Sequence, residues 1–241
     1  MRKLKNSMVL LLCFGLLVLG AVIPYLAAWI TDNMEADSPL FAQMESIQLN
    51  LEAERKELTL PEKLGLMLVG GSLPVTEDET RLMESDLHAI VIELMAPFQA
   101  QGLLPEPDND YLDASSVLLY DMEDPARYVV VWYVYLSFDS VSGDTLTLTI
   151  DDETGLLLSA DYIRYEEYIP TKKLSTLLDE MCWYYLNMHE TEPEEILYGE
   201  SALTDPATPV LWCRIPTEQG IFTIEMSVNP QGFYIRPVIL D

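Results

Sequence analysis

The stretch Tyr128-Val-Val-Val-Trp-Tyr-Val-Tyr-Leu-Ser-Phe138 most restricts what this chain can become. β-Branched and aromatic side chains crowd a helical turn but stand clear of a pleated backbone, so the run predicts one long strand. Alternation places Val130, Trp132, Val134, Leu136 and Phe138 on one face. The other face carries Val129, Val131, Tyr133 and Tyr135. A sheet with helices on one side only should have a polar second face, and this strand has none. Either the other half of the chain packs there or a partner does. Intramolecular packing is the expectation, with Val129, Val131, Tyr133 and Tyr135 as the candidate partner-binding residues.

A hairpin follows. Thr145-Leu-Thr-Leu-Thr-Ile150 alternates strictly, breaks at Asp151-Asp-Glu-Thr-Gly155, and resumes as an apolar strand over Leu156–Ile163. A polar residue opens such a turn and glycine supplies the left-handed residue that closes it, so the acids read as turn chemistry and surface charge. Upstream, Val117–Tyr120 predicts a short strand. Capping boxes at Thr59-Leu-Pro-Glu62 and Thr76-Glu-Asp-Glu79 each predict a helix. The first runs to Gly70-Gly71. The second buries Leu82, Met83, Leu87, Ile90, Val91, Leu94 and Met95 and is limited by Pro97, before a polar, Pro-rich connector over Gly102–Asp113.

The order then recurs. Thr171–Met188 predicts a helix with Leu174, Leu177, Leu178, Met181 and Tyr185 on one side. Strands are expected at Glu195–Tyr198, Val210–Ile215, Ile221–Val228 and Gly232–Ile239, the last two joined by Asn229-Pro-Gln-Gly232 with glycine again the left-handed residue. The expected fold class is α+β: an N-terminal transmembrane helix, then two helix-plus-antiparallel-sheet units. The expected divisions are a cytoplasmic tip and anchor over 1–31, a stalk with short helices over 32–75, and the two units over 76–168 and 169–241.

The anchor rests on Met8–Ile30, which holds no charged residue and is long enough as a helix to cross a hydrocarbon core of about 30 Å. Tyr25 and Trp29 stand near its outer end, and Arg2, Lys3 and Lys5 precede it, a bias that keeps the N-terminus cytoplasmic. A cleaved signal peptide would carry a shorter apolar core and small residues at the cut, which Ala27-Ala28-Trp29 does not match. From Glu35 to Leu58, spaced apolar residues suggest a stalk helix. The chain is therefore expected in the cell membrane as a single-pass protein with its C-terminal part extracytoplasmic.

That part is strongly acidic. The 241 residues hold 13 Lys and Arg against 40 Asp and Glu, a net charge of -27. Without a basic stripe there is nothing to displace counterions from phosphates, so nucleic acid is excluded as a partner. No phosphate-cradling loop, G-x-S-x-G elbow or H-E-x-x-H pair occurs. His88 reads as a solvated or core-edge helical histidine, and His189, followed by Glu190, Glu192, Glu194 and Glu195, as a histidine favoured by the end of its helix dipole. Asp108-Asn-Asp-Tyr-Leu-Asp113 lacks the glycine and distal glutamate of a calcium loop. No catalytic residue, cofactor or metal is expected. Cys182 and Cys213 fall on a helix and a strand of the same half and form a possible disulfide, the other reading being two buried thiols.

A helix followed by a meander with an Asp-x-x-Thr-Gly turn resembles the PepSY family of extracytoplasmic modules. The matching residues are Ile150, Asp151 or Asp152, Thr154, Gly155 and Leu156, and in the second half Asn229 and Gly232. The resemblance implies PepSY- or cystatin-like units and a non-enzymatic, membrane-tethered protein that modulates a sensor, a protease or secretion and wall machinery. The aromatic-rich strand and the Pro-rich connector depart from that pattern. The expected function is thus a membrane-anchored extracytoplasmic binding or regulatory protein with a protein partner in the envelope. The alternatives are a carboxylate-dependent envelope hydrolase, which would need two acids about 5–9 Å apart, and a structural subunit of an envelope assembly.

Overall fold

A computed structural model describes residues 57–105, 111–138, 143–165, 172–201, 208–218 and 220–239. Thr59 and Glu62 form the expected capping box, with the Glu62 carboxylate accepting from the Thr59 N–H at 2.8 Å, and open α1 (Leu60–Val69). The chain turns directly into β1 (Gly71–Pro74). The second box, Thr76 with Glu79, caps only a single 3-10 turn over Glu77–Glu79, and α2 (Glu84–Ala100) starts later. Met83 precedes that helix and is exposed, whereas Leu87, Val91, Leu94, Met95 and Phe98 are buried. Pro97 does not end α2, which runs on for three residues to Ala100.

Four strands follow: β2 (Tyr111–Tyr120), β3 (Tyr128–Phe138), β4 (Asp144–Asp151) and β5 (Leu157–Ile163). After α3 (Leu174–Met188) come β6 (Glu195–Ser201), β7 (Thr208–Thr217), β8 (Gly220–Asn229) and β9 (Gly232–Val238). All nine strands form one antiparallel sheet in the order β1-β2-β3-β4-β5-β9-β8-β7-β6. This overturns the expected fold class. The described fold is a single sheet with three helices, not two separate helix-plus-sheet units. The last strand of each meander pairs with the other, Ala160 opposite Ile235 and Ile163 opposite Gly232, so no boundary between sheets exists there. The run Met8–Ile30, the residues before it and the expected stalk helix up to residue 56 lie outside the described residues. Among the described residues no helix is long and apolar enough to cross a membrane.

The junction explains a glycine. Gly232 has φ +147°, a positive value that other residues rarely adopt, as its turn was expected to require of glycine. A Cβ there would collide with the carbonyl oxygen of Tyr162 on β5, so glycine is needed for the approach of the two meanders. Gly155, at φ +69°, closes its turn in the left-handed region.

Helices α2 and α3 cover one face. Phe98 of α2 stacks on Phe233 of β9 with centroids 5.1 Å apart and meets Tyr184 of α3 edge-on at 5.4 Å. Tyr185, fully buried on α3, donates its hydroxyl to the Leu158 carbonyl at 2.9 Å. A bulge between Thr149 and Ile150 and their β5 partners lets both Leu157 and Leu158 enter the interior. Burial of these apolar side chains supplies the main stabilisation, at roughly 25 cal/mol per Å² of apolar surface removed from water.

Candidate functional site

The acidic turn is not a surface feature. Asp151 and Asp152 are 1% and 2% exposed. Asp151 accepts from Lys63 Nζ at 2.8 Å and from the Thr154 hydroxyl at 2.6 Å, while its backbone carbonyl receives the Gly155 N–H at 2.8 Å. Asp152 Oδ2 accepts the Arg81 N–H at 2.8 Å, and Oδ1 accepts the Leu82 N–H at 3.0 Å and the Trp132 indole N–H at 2.9 Å. One turn thereby holds α1, the segment leading into α2, and the long strand β3. The reading of these acids as surface charge is corrected: a buried carboxylate is stable only when its lone pairs are matched, and both acids are matched from distant segments.

Two sequence signals mark this cluster. Counting by twos from Leu146 through Leu148 and Ile150 puts Asp152 on the inward side, level with core residues. Lys63 is a single cation within the otherwise apolar face of Leu60, Leu64 and Leu66. Neither signal alone names the partner.

The cluster lies at one end of the sheet, where β3 starts, β4 ends and β5 starts. There α1 contacts β2, β3 and β9. His189, just past α3, places Nε2 2.6 Å from the Leu157 carbonyl oxygen. Burial holds its imidazole below the ordinary value. The Leu157 hydrogen bond and the Asp151 charge oppose that effect, and the Lys63 charge adds to it. His189 is thus fixed as a neutral hydrogen-bond donor, while His88 is exposed on α2.

Beyond α1 opens a cleft of about 1250 Å³, bordered by α1, the β2–β3 connection, His189–Glu192 and the end of β7. Its walls carry Glu62, Asp121, Glu123, Glu190, Glu192 and Glu218. Arg127 pairs with Glu62 at 2.9 Å and Asp121 at 3.4 Å. Burial works to raise Glu62, but hydrogen bonds from Thr59 and the Arg127 charge outweigh it and hold the carboxyl below its ordinary value. Glu62 therefore stays ionised and makes a poor proton donor.

The candidate partner-binding residues separate. Val129 and Val131 are fully buried in the core that α1 shares, so they present nothing to a partner; Tyr133 and Tyr135 are 36% and 42% exposed. Around these tyrosines the outer face is polar and aromatic, with Tyr135, Thr147, Asp161 and Tyr234 lying opposite one another across four strands. Farther along, Glu225 accepts from Arg236 Nη2 at 2.6 Å and from Trp212 Nε1 and Tyr234 Oη at 2.9 Å each. Burial tends to raise Glu225, but these donors prevail and lower it, so this patch is a fixed ionic network.

Cys182 and Cys213 are both free and buried. They are in hydrogen-bonding contact, and that contact together with burial pushes the Cys182 thiol up. Asp113, from the rejected calcium loop, lies exposed in β2, and the residues 106–110 before it lie outside the described residues. Among the described residues no His, Cys, Asp and Glu group is arranged to hold a metal ion. Comparison of the chain with protein families, characterised proteins and solved structures finds no match.

Proposed function

We propose that this chain is a membrane-anchored extracytoplasmic binding protein that modulates a protein partner in the envelope without catalysing a reaction. The observation that carries the reading is the engagement of its buried polar chemistry. Lys63, Asp151, Asp152 and the hydrogen-bonded His189 all tie the fold together, as does Asp144, which accepts from the Tyr162 hydroxyl and the Tyr165 N–H. Reactive groups need a perturbed environment and an open approach together; Lys63, Asp151, Asp152 and Asp144 are buried and lack the approach, and His189, which borders the cleft, is held by the Leu157 carbonyl. The partly exposed tyrosines of β3 instead offer rigid amphipathic contact area. The anchor reading rests on the uncharged run Met8–Ile30 behind Arg2, Lys3 and Lys5, and the PepSY resemblance of the turn accords with a tethered, non-enzymatic module.

The cleft beyond α1 supports one alternative, a carboxylate-dependent hydrolase, because acids gather on its walls. A photo-reactive phenylalanine analogue placed at Tyr133 or Tyr135 in living cells separates the two. The binding reading expects a discrete crosslinked envelope protein from these positions and none from Met83, which is exposed ahead of α2. Hydrolysis of an envelope glycan by the purified chain, lost in Glu62→Gln, would establish the alternative instead.

A further inference from the structure

The sheet has two edges, and they are built differently. β1 is four residues long and ends in Pro74, which has no N–H to offer a neighbour. That is a blunted edge of the kind that discourages strand pairing. β6 is seven residues long, Glu-Ile-Leu-Tyr-Gly-Glu-Ser, with neither proline nor lysine. Among the described residues no strand pairs with its outer side.

The side chains along β6 are also unusual for an unprotected edge. Leu197 is 37% and Tyr198 61% exposed, on opposite faces of the strand. The Tyr198 hydroxyl donates to Asp179 of α3 at 2.8 Å, fixing the ring in the angle between helix and edge. Trp183 stands one helical turn beyond Asp179 and is 51% exposed. Helix flank and edge strand thus form a ledge with an open backbone ladder below it and aromatic surface above it.

The charge of the ledge selects the occupant. Glu194, Glu195 and Glu200 run along the strand, with Asp179 and Glu180 on the helix flank. Glu195 is already paired with Arg214 at 2.7 Å and Glu180 with Lys172 at 2.8 Å, so exposed Glu194 and Glu200 are the charges left for an occupant to meet. An incoming strand with alternating basic and apolar side chains would complete the ladder, turn its basic residues to the Tyr198 face, where Glu194 and Glu200 also lie and the Tyr198 and Trp183 rings can receive a cation, and lay its apolar residues against Leu197 on the other face.

We propose that the outer edge of β6, to which no described strand pairs and which Tyr198 and Trp183 flank, is a β-augmentation site for an extended segment of a partner protein in which basic and apolar residues alternate. The inference rests on the binding-protein reading and assigns that binding a surface and a ligand chemistry. It places the principal peptide contact at β6 and leaves the tyrosines of β3 to a separate contact.

The test uses the full chain and two acetylated, amidated nonapeptides, one alternating Lys with Val and one alternating Glu with Val, followed by amide hydrogen exchange. The expected result is saturable binding of the Lys peptide alone, with exchange slowed at alternate amides between Glu195 and Ser201. Tyr198→Lys should weaken that binding about tenfold, through charge repulsion and loss of the aromatic contact. Trp183→Ala, a change at an exposed helix position, should weaken it about threefold without altering the unfolding midpoint. Equal binding of both peptides, binding of neither, or amides of β6 that already all exchange slowly in the free chain would overturn the proposal. Protection mapped around Tyr133 and Tyr135 instead would also overturn it, while leaving the binding-protein reading in place. Only turnover of an envelope substrate would remove that reading.

Discussion

Lys63 of α1 places its ammonium 2.8 Å from Asp151, 88 residues later in the chain, with the side chains only 10% and 1% exposed. A pair so far from water contributes modestly compared with an apolar pair of the same shape, but it is costly to break, because the remaining charge is left without a partner. The pair therefore specifies where α1 sits on the end of the sheet. Together with Asp152 it makes the Asp151–Gly155 turn the point where three separate segments are tied.

Asp152 should behave as an anchor. Removing its carboxylate in Asp152→Ala leaves the Arg81 and Leu82 amides and the Trp132 indole N–H without acceptors. The Trp132 indole is buried and the two amides are partly so; an unsatisfied buried donor costs about 1–3 kcal/mol, so the variant should lose about 3 kcal/mol. Asp152→Asn keeps one acceptor oxygen and should lose less. The Trp132 indole N–H resonance checks the assignment: its shift should move strongly in Asp152→Ala and only slightly in Asp152→Asn.

His189 should make the fold sensitive to mild acid. Burial lowers its folded value below the ordinary 6.5, so the unfolded chain takes up the proton first as pH falls. Stability conferred by the neutral ring is fully present above the unfolded value and declines as pH drops below 6.5 toward the folded value. Urea midpoints compared between about pH 7.5 and about pH 5.5 should fall more steeply for the native chain than for His189→Gln, whose amide can still donate to Leu157 but does not titrate.

The two hairpin glycines should respond unequally to alanine. At Gly155 the left-handed backbone costs about 1 kcal/mol, and a Cβ meets nothing nearer than Ile90 Cδ1 at 3.9 Å. At Gly232 a methyl group would strike the Tyr162 carbonyl oxygen, forcing β5 and β9 apart, and the loss should reach about 3 kcal/mol or more. Urea unfolding of both variants measures the difference. Faster amide exchange at Ala160–Ile163 in Gly232→Ala alone would localise it.

Much of the strand layout is legible in the sequence, because β-branched runs between turn residues report local backbone preference. Tyr128–Phe138 is the clearest case, with the same bounds in both. β1 escapes such reasoning since Gly71 and Pro74 are residues that strands generally avoid, and it forms only because Tyr120 and its neighbours lie open alongside. The joining of β5 to β9 escapes it too, since pairing between meanders depends on the close approach at Gly232 rather than on any pattern within either one. The turn acids are misread for a related reason. Acidic residues beside glycine are usually solvated, and only the partners arriving from Lys63, Arg81 and Trp132 make these two interior. Of the four candidate partner residues, Val129 and Val131 share a strand face with Tyr133 and Tyr135. Alternation cannot show that α1 covers only one end of that face.

The most direct measurement is a double-mutant cycle in denaturant unfolding over Lys63→Met, Asp151→Leu and the double variant, each with and without millimolar Ca²⁺. If the turn is a buried tie, each single variant loses about 3 kcal/mol or more, the double variant recovers most of that loss, and the cation changes nothing. Single variants that lose little, with a native chain stabilised by the cation and an Asp151→Leu chain that is not, would contradict the account and make the turn a metal-binding site.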